Sequence, residues 1–133
     1  RTLTRNRMGY LLCFDISDEG SDSLKEVMAL HLMLTQALEK QNLQRRPYIW
    51  LVACKSDKNS SYQSFRETQE KARLWASYEE MPYYETSARN ATGIDALFTE
   101  MCQAISSRTS LWTLEQDDER GEEEENAENC ALQ

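Results

Sequence analysis

Two long apolar runs mark the first half of the chain. They cover residues 9–16 and 48–54, and polar residues flank both. Nearly continuous apolar runs of this length are typical of strands that are buried on both faces, which occur mainly in parallel sheets. A shorter apolar segment at residues 82–86 indicates a third strand. The pattern therefore predicts three strands for one sheet.

The segments between and after these runs show helical periodicity. Apolar residues recur at steps of three and four over residues 22–44, 64–79 and 94–105, which indicates amphipathic helices. Strand and helix thus alternate three times along the chain. Alternation at this spacing predicts right-handed crossovers and an α/β fold, with parallel strands covered by helices.

Short polar residues precede two of the predicted helices. Ser21 or Ser23 is expected to cap the first one, because a serine hydroxyl can accept a hydrogen bond from a free amide at a helix start. Thr92, followed three residues later by Asp95, resembles a capping box before the last helix. Both signals predict where the helices begin.

The net charge of −8 is unevenly distributed. Residues 115–129 hold nine acidic side chains and one arginine, so this segment carries the whole excess. The rest of the chain has 14 acidic and 14 basic residues and is neutral. A neutral body gives no electrostatic reason to bind nucleic acid, and no nucleic-acid partner is expected.

The cysteines indicate reduced thiols rather than a metal site. No two of the four lie close in sequence, and His31 is the only histidine, so no zinc site is predicted. Cys13 and Cys102 lie in apolar segments and are expected to be buried. No apolar run approaches the length of a membrane span, and a cytoplasmic protein is expected.

Two short motifs follow the second and third predicted strands. They are Cys54-Lys55-Ser56-Asp57 and Glu85-Thr86-Ser87-Ala88-Arg89. Ligands of open α/β sheets bind beyond the carboxyl ends of the strands, where both motifs lie. The Asp57 carboxylate is the candidate for a bidentate contact with guanine, whose N1–H and amino group point the same way.

These motifs resemble N-K-x-D and E-x-S-A-K of the Ras superfamily of small GTPases, including Ras and Rab proteins. The resemblance covers residues 1 to about 107, which correspond to the last three strands and helices of that fold. It implies a partial P-loop-NTPase-like fold of three layers, without the amino-terminal strand, loop and helix that bind phosphate. It also implies guanine-nucleotide binding, with GTP or GDP as the ligand.

The resemblance assigns a role to each residue of the site. Lys55 is expected along one face of the purine and Arg89 along the other. Ser87 is expected to orient the Asp57 carboxylate, and the Ala88 amide to donate to guanine O6. Cys54 departs from the family pattern, because the family has an asparagine there and a thiol is a weak hydrogen-bonding group.

The phosphate-binding motif G-x-x-x-x-G-K-[ST] does not occur in the 133 residues. The family's Mg²⁺ ligands also belong to segments upstream of the matched part, so Mg²⁺ is expected only in the intact protein. No catalytic residue and no metal ligand is predicted here. These residues alone are expected to bind guanine nucleotide weakly and not to hydrolyse GTP.

The sequence predicts two regions. Residues 1–113 are expected to form an incomplete Ras-like guanine-nucleotide-binding domain, and residues 114–133 a disordered acidic tail. The final residues, Cys130-Ala131-Leu132-Gln133, fit C-a-a-X, so Cys130 is the candidate for farnesylation. One prenyl chain beside acidic residues predicts weak, reversible membrane association, at the cytoplasmic face.

Three functional hypotheses remain open. The first is a small GTPase that acts as a signalling or trafficking switch. The second is a non-catalytic pseudo-GTPase, a lipid-anchored interaction module of the same fold. The third is a flavodoxin-like α/β domain with another ligand. A monomer is expected in each case, and the sequence does not identify the effector or regulator proteins.

Overall fold

The computed structural model describes residues 7–18, 21–41, 46–58 and 63–108. The elements follow the predicted order of three strand–helix pairs. They are β1 (Gly9–Asp15), α1 (Asp22–Lys40), β2 (Tyr48–Cys54), a short 3-10 helix (Ser56–Lys58), α2 (Gln63–Tyr78), β3 (Tyr83–Glu85) and α3 (Ile94–Ser106).

The three strands form one parallel sheet in the order β1-β2-β3. β1 and β2 pair along their whole length, so that Asp15 lies opposite Cys54 at their last position. β3 is shorter and ends with Glu85 beside Ala53. The predicted α/β fold is confirmed, and the carboxyl ends of all three strands meet at one edge of the sheet.

Helices cover both faces of the sheet. The larger core packs α1 and α2 against one face, and its most deeply buried strand residues include Phe14 and Leu51. The smaller core packs Leu97 and Met101 of α3 against Trp50 and Val52 of β2 on the other face. None of the described helices has the length and apolar character that crossing a bilayer requires.

The amino-terminal end of α1 is stabilised differently from the prediction. Ser21 adopts a left-handed conformation with φ of 54° and makes no capping bond; its hydroxyl lies 2.6 Å from Thr68 Oγ1. The Ser23 hydroxyl instead accepts from the Asp15 amide at 2.8 Å. Asp18 supplies the acceptor at the helix start, because its Oδ2 binds the Ser23 amide at 3.0 Å. The predicted serine cap is therefore wrong.

The capping box expected before α3 is also not formed. Gly93 is the residue that precedes the helix, with φ of 75°, and no side chain caps it. The Thr92 amide and carbonyl are instead bonded to the backbone of Ser87. Pairing within this loop therefore replaces the predicted side-chain cap.

Two cysteines expected in the core are exposed. Cys13 lies on β1, and Cys102 lies on α3. The smaller core joins α3 to β2, so within the described residues the face of β1 at Cys13 stays uncovered. Phe98 on α3 is 55% exposed, although Leu97 beside it is buried.

Candidate functional site

The segment after β2 turns sharply at the edge of the sheet. Lys55 follows the strand with φ of 63°, a left-handed conformation that few residues with side chains adopt. The 3-10 helix Ser56–Lys58 begins directly after it. The Ser56 amide donates to the carbonyl of Thr86 at 3.0 Å, which joins this turn to the segment after β3. The two sequence motifs therefore meet.

Asp57 and Ser87 form the central contact of the site. The Ser87 hydroxyl donates to Asp57 Oδ1 at 2.7 Å, and it accepts from the Asn90 amide at 3.2 Å. Ser87 is 1% exposed, so its hydroxyl is held by protein contacts. Among the described residues no donor binds Asp57 Oδ2. The carboxylate is thus fixed at one oxygen, and the other can bind a ligand.

The loop after Ser87 is closed by its own backbone. The Ser87 amide donates to the Thr92 carbonyl at 3.0 Å, and the Thr92 amide donates to the Ser87 carbonyl at the same distance. Between these two residues the loop presents Ala88 and Arg89 beside the pocket described next. The backbone pairing fixes the base of the loop and therefore the position of both residues relative to Asp57.

A pocket of about 520 Å³ lies where these segments converge. This volume is within the range of small-molecule sites. Five of the six predicted site residues line the pocket, and Ser87 lies buried next to it. The lining comprises Leu11, Cys13, Val52, Cys54, Lys55, Asp57, Lys58, Thr86, Ala88, Arg89, Ile94, Leu97 and Phe98.

Comparison with known protein families agrees with this arrangement. The sequence model of the Ras family matches residues 1–107. The chain belongs to the Ras family. Its domain is therefore of the small-GTPase type, a nucleotide-binding switch of a family whose members in general bind GTP and GDP. A comparison with curated proteins found no match.

Lys55 makes a contact that the Ras-family resemblance does not imply. Its Nζ lies 2.5 Å from Oδ2 of Asp15, the last residue of β1. Asp15 Oδ1 accepts from the Ser17 amide at 2.9 Å and from the Ser17 hydroxyl at 2.6 Å. The sequence pattern did not single out Asp15 as a site residue. The strand register would have identified it, because the pairing of β1 with β2 sets Asp15 opposite Cys54, the residue that precedes Lys55.

The two charges stabilise each other. Partial burial of Asp15 opposes ionisation, but the hydrogen bonds from Lys55 and Ser17 outweigh it and hold the pKa of this carboxyl below its ordinary value. The hydrogen bond and charge of Asp15 in turn raise the pKa of Lys55. At neutral pH both groups are charged, and the Lys55 ammonium is held toward β1.

The Asp15 contact predicts a specific acid sensitivity. Because the folded pKa of Asp15 lies below the unfolded value, its ionisation stabilises the fold fully above the unfolded value, and the effect is lost as pH falls through the folded pKa. We expect Asp15→Asn to be less stable than wild type at neutral pH, with the difference shrinking under acid. Urea unfolding from pH 7 down to about pH 3 measures this.

Asp22→Asn is the matched control for that experiment. The Asp22 side chain is 73% exposed, and among the described residues it pairs only with Lys25, one helical turn away. We expect this variant to follow wild type across the pH range, since an exposed pair contributes little. Equal acid sensitivity of Asp15→Asn and wild type would contradict the role of the Asp15 contact.

Two thiols lie on the sheet side of the pocket. Cys54 is half-buried, and Cys13 lines the same pocket from β1. Although Cys13 is exposed, partial desolvation of its thiol, together with the neighbouring Cys54, raises the pKa of Cys13 to about 11. Its thiol is therefore protonated at neutral pH. Cys54 stands where the Ras family has asparagine, so a weak hydrogen-bonding group occupies that position.

Glu85 is a further residue to which the sequence pattern assigned no role. Its Oε1 accepts from Gln69 Nε2 at 2.6 Å, from Arg73 Nη2 at 3.1 Å and from the Tyr83 hydroxyl at 2.9 Å. These bonds tie the last residue of β3 to α2. They fix the start of the loop that carries Ser87, Ala88 and Arg89.

Neither a metal site nor the candidate lipidation site lies within the described residues. Among the described residues no group of three or more histidine, cysteine, aspartate or glutamate side chains is placed to hold a metal ion. Cys130, the candidate for lipidation, lies outside the described residues, as does the boundary predicted at residue 113.

Proposed function

We propose that the pocket recognises the guanine base of GDP and GTP. The observation that carries the proposal is the 2.7 Å hydrogen bond from Ser87 to Asp57 Oδ1. It orients a carboxylate that lines the pocket, as Ala88 also does. An acceptor pair and a backbone amide donor are the complement of the guanine edge, which presents two donors and the O6 acceptor.

The same arrangement disfavours adenine. Adenine places an unprotonated ring nitrogen against the carboxylate, so that two acceptors face each other without water. Such a mismatch costs about 1–3 kcal/mol. The Asp57 carboxylate is therefore the group that selects between the purines, and its fixed orientation by Ser87 preserves that selection.

Two cationic side chains of the pocket support this proposal. Lys55 and Arg89 both line the pocket, on the loops after β2 and β3. The arginine side chain stacks well on aromatic planes, because its guanidinium is flat and weakly hydrated. We propose that Arg89 covers one face of the base and the stem of Lys55 the other, while the Lys55 ammonium stays bound to Asp15.

A titration of the isotope-labelled chain with GDP and ADP tests the proposal. We expect GDP to shift the amide signals of Ala88 and Lys55 with a Kd in the range of about 0.1–10 mM. Affinity should be weak, because the base contributes only part of the binding energy of a nucleotide. ADP should bind at least about fivefold more weakly. Equal shifts from ADP, or shifts confined to another surface, would contradict guanine recognition.

For the whole protein we propose a nucleotide-dependent switch in signalling or trafficking, with GTP hydrolysis in the intact form. Cys54 supports a second candidate, a non-catalytic pseudo-GTPase that acts as an interaction module. The family asparagine is missing at this position, which favours weak nucleotide binding. Cys54→Asn separates the two candidates. A large gain in GDP affinity would favour the interaction module, and no gain would favour the switch.

We also propose that Cys130 accepts a farnesyl group, which would give the protein weak, reversible contact with the cytoplasmic face of a membrane. The support is the sequence Cys130-Ala131-Leu132-Gln133 alone. Incubation with farnesyltransferase and farnesyl diphosphate, followed by mass spectrometry, tests it, with Cys130→Ser as the control. An unmodified wild-type chain would refute the proposal.

A further inference from the structure

Several contacts fix the Asp15 carboxylate at the end of β1. Its Oδ1 accepts from the amide and the hydroxyl of Ser17, and its Oδ2 accepts from Lys55 Nζ at 2.5 Å. The Asp15 amide donates to the Ser23 hydroxyl at 2.8 Å, which ties this residue to the start of α1. The next amide in the chain donates to the Cys54 carbonyl at 3.1 Å. The carboxylate is therefore oriented before any ligand binds.

The Lys55 side chain is fixed at both of its ends. Its backbone has φ of 63° in the turn that leads into the 3-10 helix. Its ammonium binds Asp15, although the Lys55 side chain is 53% exposed. An exposed lysine otherwise samples many rotamers, because a flexible four-carbon stem joins the ammonium to the backbone. The two fixed ends therefore determine how the stem of Lys55 lies along the wall of the pocket.

The other two cationic side chains of the pocket are not restrained in this way. Lys58 and Arg89 line the pocket, and both are exposed. Among the described residues neither of them forms an ion pair, whereas Lys55 does. The protein itself thus neutralises one pocket cation, Lys55, and leaves the charges of the other two available to a ligand.

We propose that Asp15 is a positioning residue of the base site and acts on the ligand through Lys55. This inference rests on the proposed guanine recognition and deepens it. With the ammonium bound to Asp15, the apolar stem of Lys55 lies against the face of the base, and the charge of Lys55 is not free to bind a phosphate group. Asp15 thereby makes Lys55 a contact for the base and not for the phosphates.

The uncharged nucleoside guanosine isolates this role, because it presents the base without phosphate. Without the Asp15 carboxylate, the Lys55 side chain has to be ordered when the base binds, which lowers affinity by about two- to tenfold. The released ammonium can instead attract phosphate groups. Asp15→Asn should therefore weaken guanosine binding about three- to tenfold, while GDP binding stays equal or becomes stronger.

Lys55→Met shows whether Asp15 acts through Lys55. Methionine keeps an unbranched, flexible stem and lacks the ammonium. When Lys55→Met is already present, adding Asp15→Asn should change guanosine affinity by less than about twofold, because the contact between the two side chains no longer exists. If Asp15 served the fold alone, adding Asp15→Asn would lower guanosine affinity by the same factor with and without Lys55→Met.

Asp22 and Lys25 provide a matched control pair. They also form an aspartate–lysine ion pair, but both side chains are well exposed on α1 and neither lines the pocket. Asp22→Asn and Lys25→Met should each bind guanosine and GDP like wild type. These variants show what the same two substitutions do when the ion pair lies outside the base site.

Titration of the isotope-labelled full chain at neutral pH with guanosine, adenosine and GDP measures these affinities through the Ala88 amide. Circular dichroism checks that each variant is folded. The Lys55 ammonium gives a second measurement that needs no variant. Its ¹⁵N relaxation in wild type should show less motion than that of Lys71, which is exposed on α2 and forms no ion pair among the described residues. If Asp15→Asn does not fold, this relaxation decides.

The outcomes separate this inference from guanine recognition itself. Equal binding of guanosine and adenosine by wild type would overturn guanine recognition and the role of Asp15 with it. Three results would overturn the role of Asp15 alone: an Asp15→Asn variant that binds guanosine like wild type, an effect of Asp15→Asn that persists beside Lys55→Met, or a Lys55 ammonium as mobile as that of Lys71.

Discussion

Asp57→Asn should exchange guanine for xanthine as the preferred base. The affinity for GDP is expected to fall by about 10- to 100-fold, since one donor of guanine then faces the amide NH₂ group instead of a carboxylate oxygen. Xanthine carries a carbonyl where guanine has its amino group. The asparagine side chain offers one acceptor and one donor, which match the N1–H and this carbonyl.

The same titration with GDP and xanthosine diphosphate measures the exchange. Xanthosine diphosphate should bind the Asp57→Asn variant more tightly than GDP does, and wild type should show the reverse order. Asp95→Asn provides the control, because Asp95 is exposed in the first turn of α3 and does not line the pocket. If the variant keeps its preference for guanine, Asp57 is not the group that recognises the base.

This prediction rests on two residues whose proximity follows from the sequence alone. Asp57 and Ser87 are 30 residues apart, and each follows a strand. In a parallel sheet the carboxyl ends of neighbouring strands share one edge, so two motifs at these positions must lie close. The hydrogen bond between Asp57 and Ser87 shows that the two residues do lie close together. Whether guanine is the ligand stays a prediction.

The strands and helices were predictable for a similar reason. The apolar run Tyr48–Cys54 is the observed β2 with the same limits, because the central strand is buried on both faces and leaves a continuous signal. The position of the last helix was also predicted correctly, but the exposure of Phe98 and Cys102 was not. Periodicity identifies an apolar face of a helix without showing how much sheet is present to cover it.

Partners distant in sequence explain the errors at the helix ends. The Ser21 hydroxyl has the right chemistry for a cap, but it bonds Thr68, 47 residues later. Ser23 binds the amide of Asp15 in the preceding strand. A local pattern of small polar residues indicates which hydrogen bonds are possible. Only the packing of α1 against α2 and β1 decides which of them form.

The contact between Lys55 and Asp15 was missed because it depends on register. Nothing in the sequence near Asp15 distinguishes its carboxylate from others at strand ends. The pairing of Asp15 with Cys54 puts it one residue from Lys55 across the sheet. Register is set by the hydrophobic patterns of both strands together. A contact of this kind is therefore visible only once two strands are aligned.

Gly93→Ala should destabilise the domain by about 2–4 kcal/mol, the largest stability effect expected of a single methyl group in this loop. Gly93 has φ of 75°, and a Cβ atom there would lie 2.5 Å from the carbonyl oxygen of Glu85. That oxygen is backbone and cannot rotate away, so β3 or the start of α3 must move. Loss of a glycine also restricts the unfolded chain, which alone would stabilise the fold by about 0.4–1 kcal/mol.

Ala91→Gly is the matched substitution in the opposite direction. Ala91 has φ of 52° two residues earlier in the same loop. Glycine relieves the left-handed strain of about 1–2 kcal/mol there but makes the unfolded chain more flexible, so stability should stay equal or rise by up to about 1 kcal/mol. Urea unfolding followed by circular dichroism measures both variants.

The two variants together test whether this loop positions the base site. Gly93→Ala should also weaken the GDP-induced shift of the Ala88 amide under conditions where the variant is folded, because Glu85 leads directly into the loop with Ser87. Ala91→Gly should leave that shift in place. If Gly93→Ala is as stable as wild type, the backbone near Glu85 can move at no cost in free energy. The hydrogen bonds of the loop would then not fix the position of Ala88 relative to Asp57.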